Sequence, residues 1–307
     1  MVPLLALVGV SSCADPTPAG DAAAGRPRVV ASFYALAYAA ERVGGSAVEV
    51  INLTSPGIEP HDLELTADHL EAIGAADVVV YLGAGFQPAM EDAIGNSSGV
   101  VLDVLGSIAT LPSPGDANGA EGGDHDDGTD EPSADPHVWL DPIVYARVAG
   151  SLASTLSQVD AANAATYAAN VGAFTDELSG LDGRFREGLA TCDSRLMVVS
   201  HAAFGYLARA YDLQQESITG VSPEAEPDPA RLAELRRIVV DGGVTTVFTE
   251  ELVAPDVAET LASEAGVTTA VLSPIESLTD EQVVAGDAYG SVMDANLEVL
   301  RDGLGCR

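Results

Sequence analysis

The chain has 307 residues, of which 47% are hydrophobic, so it is long enough to bury a large core and to form two domains. It carries 47 acidic residues against 13 basic ones, all arginine, and its net charge is −34. A surface this acidic repels nucleic acid and anionic lipid, which argues against both as direct binding partners.

The N-terminus has the pattern of an exported lipoprotein. Residues 2–10 form a short apolar run that is followed by small residues and Cys13. The run is too short to span a bilayer, and the pattern predicts a bacterial lipoprotein signal whose cleavage leaves Cys13 as the lipidated first residue. The positive charge expected before the run is missing, which suggests a start codon further upstream. Residues 1–26 are therefore expected to be signal and flexible tether.

Strand-like apolar runs alternate with helical patterns in both halves of the chain. The predicted strands cover 28–32, 48–53, 77–82, 100–104, 195–200, 214–218, 244–249 and 268–272. The predicted helices between them cover 34–43, 66–75, 231–241 and 255–265. This alternation predicts parallel sheets covered by helices. The expected fold is α/β, with two doubly wound, Rossmann-like lobes over 27–157 and 191–307.

Residues 116–135 differ from the rest of the chain. The segment is rich in aspartate and glycine and has no apolar period, so we expect a disordered acidic loop within the first lobe. His125 lies among its acids, and two interpretations stay open, a weak metal-gathering site or a plain solvated loop.

A long helix is predicted between the lobes. No strong helix breaker occurs from about 160 to 189, and Tyr167, Val171, Phe174 and Leu178 recur at three- and four-residue steps. Residues 158–190 are therefore expected to form one rigid helix that limits hinge motion between the lobes.

Two cysteines remain once Cys13 is assigned to lipidation. Outside the cytoplasm such a pair of thiols commonly forms a disulfide. A bridge between Cys192 and Cys306 would tie the start of the second lobe to the last residues. Their distance in space decides whether the bridge forms, and the sequence does not give that distance.

Three of the five histidines lie in unusually polar contexts, and two of the three follow a strand-like run or its turn. His61 and His201 each follow a predicted strand, one in each lobe, and His137 lies late in the first lobe. Because ligands bind beyond the carboxyl ends of strands in open α/β sheets, we expect the three imidazoles to meet in the cleft between the lobes. Imidazoles from distant segments are the usual ligands of a zinc-like ion.

A fourth metal ligand is expected from the second lobe. Glu276 follows the last predicted strand and would complete, with three neutral histidines, a tetrahedral set for one tightly bound Zn²⁺ ion. The competing carboxylates are Glu59, Glu250, Glu251 and Asp280.

Other polar residues near these histidines are expected to have supporting roles. Asp62 and Asp141 are predicted to accept hydrogen bonds from imidazoles and orient them, with turn or helix-cap duty as the alternative. Glu250 is a second candidate for an orienting role. His69 is expected to lie at the surface of a helix.

Several blocks of the sequence resemble one family. The blocks are Glu59-Pro60-His61 and residues 135–142, 200–206, 222–227 and 274–278. Over residues 27–307 the chain resembles the zinc-type solute-binding lipoproteins of metal ABC transporters, which are ZnuA-like. The resemblance implies two α/β lobes joined by a backbone helix, a metal buried between them, and delivery of that metal to a membrane permease.

The resemblance also bears on the choice of metal. Manganese-type relatives carry a carboxylate at the position of His201, so both the resemblance and the softer imidazole ligands favour Zn²⁺ over Mn²⁺. Zinc members often have a histidine-rich loop where this chain has an acidic one with His125 alone. The implied protein is a monomeric, membrane-anchored, extracytoplasmic zinc receptor.

Three alternative functions stay open. One is a manganese or iron receptor of the same class, and another is a surface adhesin that uses metal only for structure. A metallohydrolase would need an open coordination position with a general base beside it. The chain has no His-Glu-x-x-His motif, and four protein ligands leave no place for a substrate, so we expect no enzymatic activity.

Overall fold

Two parallel sheets form the framework of the protein. The computed structural model describes residues 25–112, 134–223, 227 and 229–307, so that Cys13 and His125 lie outside the described residues. The strands are β1 (Arg28–Ala31), β2 (Glu49–Asn52), β3 (Val78–Tyr81), β4 (Val100–Asp103), β5 (Leu196–Val199), β6 (Gln214–Ser217), β7 (Thr246–Thr249) and β8 (Thr268–Val271). The first sheet has the order β2-β1-β3-β4 and the second has the order β6-β5-β7-β8.

Helices cover both sheets. In the first half of the chain they are α1 (Tyr34–Gly44), α2 (Ala67–Ala75), α3 (Pro88–Ala93), α4 (Pro142–Val159) and α5 (Ala164–Gly188). In the second half they are α6 (Gly205–Ala210), α7 (Pro229–Asp241), α8 (Asp256–Ala265), α9 (Asp280–Ala285) and α10 (Tyr289–Leu304). None of the helices described here is both long and apolar enough to cross a bilayer.

The predicted fold class is confirmed, and each predicted strand has a counterpart in the structure. The central strands β1, β3, β5 and β7 are mostly apolar and almost wholly buried because helices cover both faces of a parallel sheet. The sequence pattern did not yield α10, and it indicated only the proline-bounded start of α4. The bounds of the two lobes stay a prediction.

The connecting helix is shorter than expected. Asp160 separates α4 from α5, because its carboxylate accepts hydrogen bonds from Asn163 Nδ2 at 2.7 Å and from the Tyr167 hydroxyl at 2.8 Å. These bonds stabilise a 3-10 turn at Ala161–Asn163, and the regular helix begins at Ala164. The expectation of one helix over 158–190 is therefore wrong at its N-terminal end.

One apolar core runs through both lobes. Helix α5 packs on α1 and α4 of the first lobe and on α10 of the second. Its buried face, which includes Phe174 and Phe185, joins a core cluster that extends from Val29 in β1 to Phe248 in β7. A shared apolar core of this extent restrains relative motion of the lobes.

A disulfide closes the second lobe. Cys192 and Cys306 are joined across a sequence separation of 114, in line with the expectation from cysteine usage. Cys192 precedes β5, whereas His201 follows the same strand, so the disulfide and His201 lie at opposite ends of β5.

Candidate metal centre

Four side chains from separate strand ends come together between the lobes. His61 follows β2 in the 3-10 turn Pro60–Asp62, and His137 follows β4 and directly precedes the 3-10 turn Val138–Leu140. In the second lobe His201 comes after β5 and Glu276 after β8. All four lie beyond the carboxyl ends of parallel strands, which is where open α/β sheets bind their ligands.

The carboxylate of Glu276 lies among the three imidazoles. Its Oε1 atom is 2.9 Å from His137 Nε2, 3.2 Å from His61 Nε2 and 3.5 Å from His201 Nε2. The Nε2 atoms of His137 and His201 are 3.3 Å apart, and the four donor atoms all lie within 4.8 Å of one another. Four donors placed tetrahedrally around zinc at about 2.0–2.1 Å would be roughly 3.3 Å apart. The cluster therefore has the donor types of a zinc site, and four of its donor–donor distances, from 2.9 to 3.5 Å, are close to tetrahedral spacing.

The cluster is shielded from water. His137 and His201 are fully buried, Glu276 is 1% exposed, and the His61 side chain is 8% exposed. Phe86 packs edge-on against the His61 ring with the ring centroids 4.5 Å apart, and Trp139 lies beside His137. A bound cation would therefore be surrounded by protein, where its interaction with the Glu276 carboxylate is stronger than in water.

The site's charges support one another without a metal. Burial opposes protonation of His137, but hydrogen bonds to Asp135 and Glu276 outweigh it and raise the pKa of His137. Burial would raise the pKa of Glu276, yet the charge of His61 and the hydrogen bonds from the imidazoles hold that pKa well below its ordinary value. Without a metal, these contacts favour the ionised form of Glu276 and the protonated form of His137, and a metal ion that binds His137 must displace that proton.

Two carboxylates face the opposite nitrogens of two imidazoles. Nδ1 of His137 lies 2.8 Å from Asp135 Oδ1, and Nδ1 of His201 lies 2.8 Å from Glu250 Oε1. With its proton donated to a carboxylate, Nδ1 leaves the Nε2 lone pair for a metal. Glu250 is thus placed for the orienting role and away from the ligand position that Glu276 occupies.

Sequence reasoning missed Asp135, and a signal for it exists. Two of the histidines follow an acid and a proline, as Glu59-Pro60-His61 and Asp135-Pro136-His137. In both cases the acid accepts the backbone N–H of the histidine, at 3.4 Å for Glu59 and 3.0 Å for Asp135. The shorter aspartate side chain at position 135 also bonds the imidazole. The acidic loop was expected to be disordered through residue 135. Asp135 instead has a defined position, so this expectation is wrong at the C-terminal end of the loop.

The orienting roles expected for Asp62 and Asp141 need correction. The Oδ1 atom of Asp141 caps α4 by accepting the backbone N–H groups of Ile143 and Val144, at 2.9 and 3.2 Å. Asp62 is exposed to solvent. Because the first N–H groups of α4 need an acceptor, the Asp141 side chain is turned toward the helix and not toward His137.

The remaining alternatives lie around the cluster. Glu59 lies beside Glu276, and burial together with the charge of Glu276 raises its pKa to about 9. Glu251 accepts a hydrogen bond from Gln282 Nε2 at 3.4 Å, and Asp280 is the first residue of α9. His69 is part of the cap of α2, where its Nδ1 accepts the Thr66 backbone N–H.

Comparison with known proteins adds independent support. The model of the family described as ZnuA, zinc-uptake complex component A periplasmic, matches residues 29–303. The chain is 36% identical over 282 residues to the zinc-binding lipoprotein AdcA of Streptococcus pneumoniae, which covers 90% of this chain and 56% of AdcA. The chain thus spans about half the length of this curated relative.

Solved structures resemble the whole described fold. The Zn(II)-bound ZnuA-like domain of Streptococcus pneumoniae AdcA matches with a TM-score of 0.74 and 34% identity, over 91% of this chain and 99% of that one. The laminin-binding protein Lmb of Streptococcus agalactiae, described as a bifunctional protein with adhesin and metal transporting activity, matches with a TM-score of 0.78 and 28% identity, over 91% and 99% of the two chains. By sequence and by structure, this chain belongs to the ZnuA family of zinc-uptake components.

Proposed function

We propose that this chain is an extracytoplasmic receptor that captures one Zn²⁺ ion between its lobes and delivers it to the permease of an ABC transporter. The ligands are His61, His137, His201 and Glu276. The observation that carries the proposal is that three imidazoles and one carboxylate from distant segments place their donor atoms within 4.8 Å of one another in a buried site. In the cell the protein acts as a monomer that is anchored to the membrane by lipid on Cys13.

The donor set supports zinc over manganese. Imidazole nitrogens suit zinc, whereas manganese prefers carboxylate, carbonyl and water oxygens. The ion exchanges its water for the three imidazoles, and the Glu276 carboxylate neutralises part of its charge in the buried site. The Zn²⁺ ion exchanges ligands but undergoes no chemical reaction, so the protein only has to bind the ion and release it.

Calorimetric titration of the metal-free soluble chain, from about residue 21, with Zn²⁺ and with Mn²⁺ tests this proposal. One tight Zn²⁺ site and weak Mn²⁺ binding are expected. Tighter binding of Mn²⁺ would favour the manganese or iron receptor, and the absence of any tight site would overturn metal transport as the function.

A second candidate function is adhesion to host matrix. The structural similarity to Lmb favours it, because that protein is described as having adhesin as well as metal transporting activity. Binding of the soluble chain to immobilised laminin, measured with zinc and with a chelator, tests it. Saturable laminin binding that persists in a zinc-free variant would identify adhesion as a separate activity, and no binding above an unrelated acidic protein would remove this candidate.

Zinc affinity is expected to fall as the pH decreases, and the fall should begin above pH 6.5. Burial opposes protonation of His201, but the charge of Glu250 and its hydrogen bond raise the pKa of His201 well above the ordinary 6.5. Because a metal ion needs the neutral imidazole, binding must release protons. Titrations in buffers of different ionisation enthalpy measure this release, and no proton release between pH 6.5 and about 7.5 would contradict the prediction.

The stability of the metal-free protein should depend on pH in a related way. The raised pKa of His201 gives a stabilisation that is complete below pH 6.5 and is lost as the pH rises through the folded-state pKa. The lowered pKa of Glu276 gives a stabilisation that is complete above pH 4.5 and is lost as the pH falls through its folded-state pKa. The site therefore stabilises the metal-free fold most between pH 4.5 and pH 6.5. A melting temperature in chelator that keeps rising above pH 6.5 would contradict this.

A further inference from the structure

Asp135 is a buried carboxylate with one well-defined orientation. It is 1% exposed, and its Oδ1 atom accepts both the backbone N–H of His137 and the Nδ1–H of the same residue. Rotation of the carboxylate would leave the buried Nδ1–H of His137 without this acceptor, which is unfavourable for a buried polar group. The direction of the second oxygen, Oδ2, is thereby set.

The Oδ2 atom lies against a glycine of the other lobe. A Cβ atom built on Gly205, the first residue of α6, would be 2.5 Å from Asp135 Oδ2. Gly205 is not among the glycines with positive φ, so the backbone does not require glycine there. The space that Asp135 occupies is therefore the physical reason for a glycine at this position.

The segment that carries Asp135 is held on the same helix by its backbone. The N–H of Asp135 donates to the carbonyl oxygen of Leu111 at 2.8 Å, and the N–H of Leu111 donates to the Tyr206 hydroxyl at 2.9 Å. Tyr206 follows Gly205 in α6 and is fully buried. The second lobe thus contacts the Asp135 carboxylate directly and supports its backbone through Leu111.

We infer that Asp135 is a positioning residue that orients His137 toward the metal, and that Gly205 of the second lobe provides the space this orientation needs. The inference rests on the proposed function, since it assumes a metal ion at His137. It makes zinc affinity depend on how closely α6 packs against residues 134–135. Gly205 has no side chain that could bind the metal. A substitution at this position would therefore affect zinc binding by displacing the Asp135 carboxylate and, with it, the His137 imidazole.

Three variants test this coupling: Gly205→Ala, Asp135→Ala and the double variant. Zn²⁺ titration and the visible absorption of the Co²⁺-loaded protein are the readouts. Each single variant is expected to weaken zinc binding about 10–100-fold, as loss of an orienting group does in other metal sites, and to alter the Co²⁺ spectrum. The double variant should bind zinc no more weakly than Asp135→Ala, because the methyl group added at position 205 then has no carboxylate to displace. Losses that multiply, or wild-type binding by Gly205→Ala, would overturn the inference.

Controls separate positioning from general destabilisation. Gly150→Ala, on an exposed face of α4 with no atom within 4 Å of the added Cβ, should bind zinc like the wild type. Should Gly205→Ala not fold, Asp135→Asn decides the issue, since its amide oxygen still accepts the Nδ1–H. Asp135→Asn is expected to lose less affinity than Asp135→Ala, and equal losses would overturn the positioning role.

The same titrations keep this inference apart from the proposed function. A wild-type chain without a tight zinc site would contradict the proposed function itself. A wild-type chain that binds zinc tightly, with the site lost in His201→Ala but intact in the Gly205 and Asp135 variants, would contradict this inference and leave the proposed function standing.

Discussion

Replacing His201 by alanine is expected to weaken zinc binding by more than about 100-fold, because it removes a ligand, whereas loss of an orienting group alone costs about 10–100-fold. His201 is fully buried, so its removal also leaves the Glu250 carboxylate without its imidazole partner. Calorimetry in the presence of a competing chelator measures the affinity. Thermal melts should show that most of the zinc-induced stabilisation, about 4 kcal/mol at a thousandfold excess over Kd, has disappeared.

The matched control for this variant is His69→Ala. His69 is outside the metal cluster and caps α2, so its replacement should leave zinc affinity unchanged. If His201→Ala kept wild-type affinity and a wild-type melting shift, the assignment of the four ligands would be wrong. Loss of affinity in both variants would indicate a general effect of histidine removal.

Removing the disulfide is expected to lower the free energy of unfolding by about 2–5 kcal/mol, through Cys192→Ser combined with Cys306→Ser. The bridge closes a loop with a sequence separation of 114, so it restricts a large part of the unfolded chain. Denaturant unfolding of the metal-free protein measures this loss. Zinc affinity should stay within about threefold of the wild type, because the disulfide lies at the opposite end of β5 from His201.

Reduction of the wild-type protein provides the control for the serine variant. Both treatments should lower the denaturation midpoint by a similar amount, since both remove the same covalent link. An unchanged midpoint would show that the disulfide does not stabilise the fold. A large loss of zinc affinity would show that the disulfide also affects the geometry of the metal site.

The lobes are also connected beneath the metal cluster. The indole Nε1–H of Trp139 donates to the Pro274 carbonyl at 2.7 Å, and the Tyr289 hydroxyl donates to the Trp139 carbonyl at 2.6 Å. Both bonds are buried and join the first lobe to the second next to His137 and Glu276. Together with the shared core around α5, they hold the four clustered side chains close together in the metal-free protein. We therefore expect ion capture to require mainly local changes and the loss of protons.

Much of the framework was predictable because it depends on local patterns. The central strands β3 and β5 are continuous apolar runs and could be located from the sequence pattern, whereas the edge strand β6 is polar and only partly buried. The start of α5 was missed because the alanine-rich sequence around residue 161 favours a continuous helix. In the structure, hydrogen bonds from Asn163 and Tyr167 to the Asp160 carboxylate interrupt that helix. Helix α10 was missed although Leu297 and Leu300 lie on its buried face.

By itself the sequence determined the fold class and predicted that His61, His137 and His201 meet between the lobes, with Glu276 favoured over four competing carboxylates. His61, His201 and Glu276 each follow a strand or its turn, and in parallel sheets the carboxyl ends of strands lie at one edge. Only the tertiary structure decided which carboxylates face the imidazoles. Asp141 and Asp135 are both near His137 in sequence, but Asp141 is committed to capping α4, while Asp135 reaches Nδ1 and packs against Gly205. That choice depends on side-chain reach and on contacts between lobes, and neither is encoded in spacing along the chain.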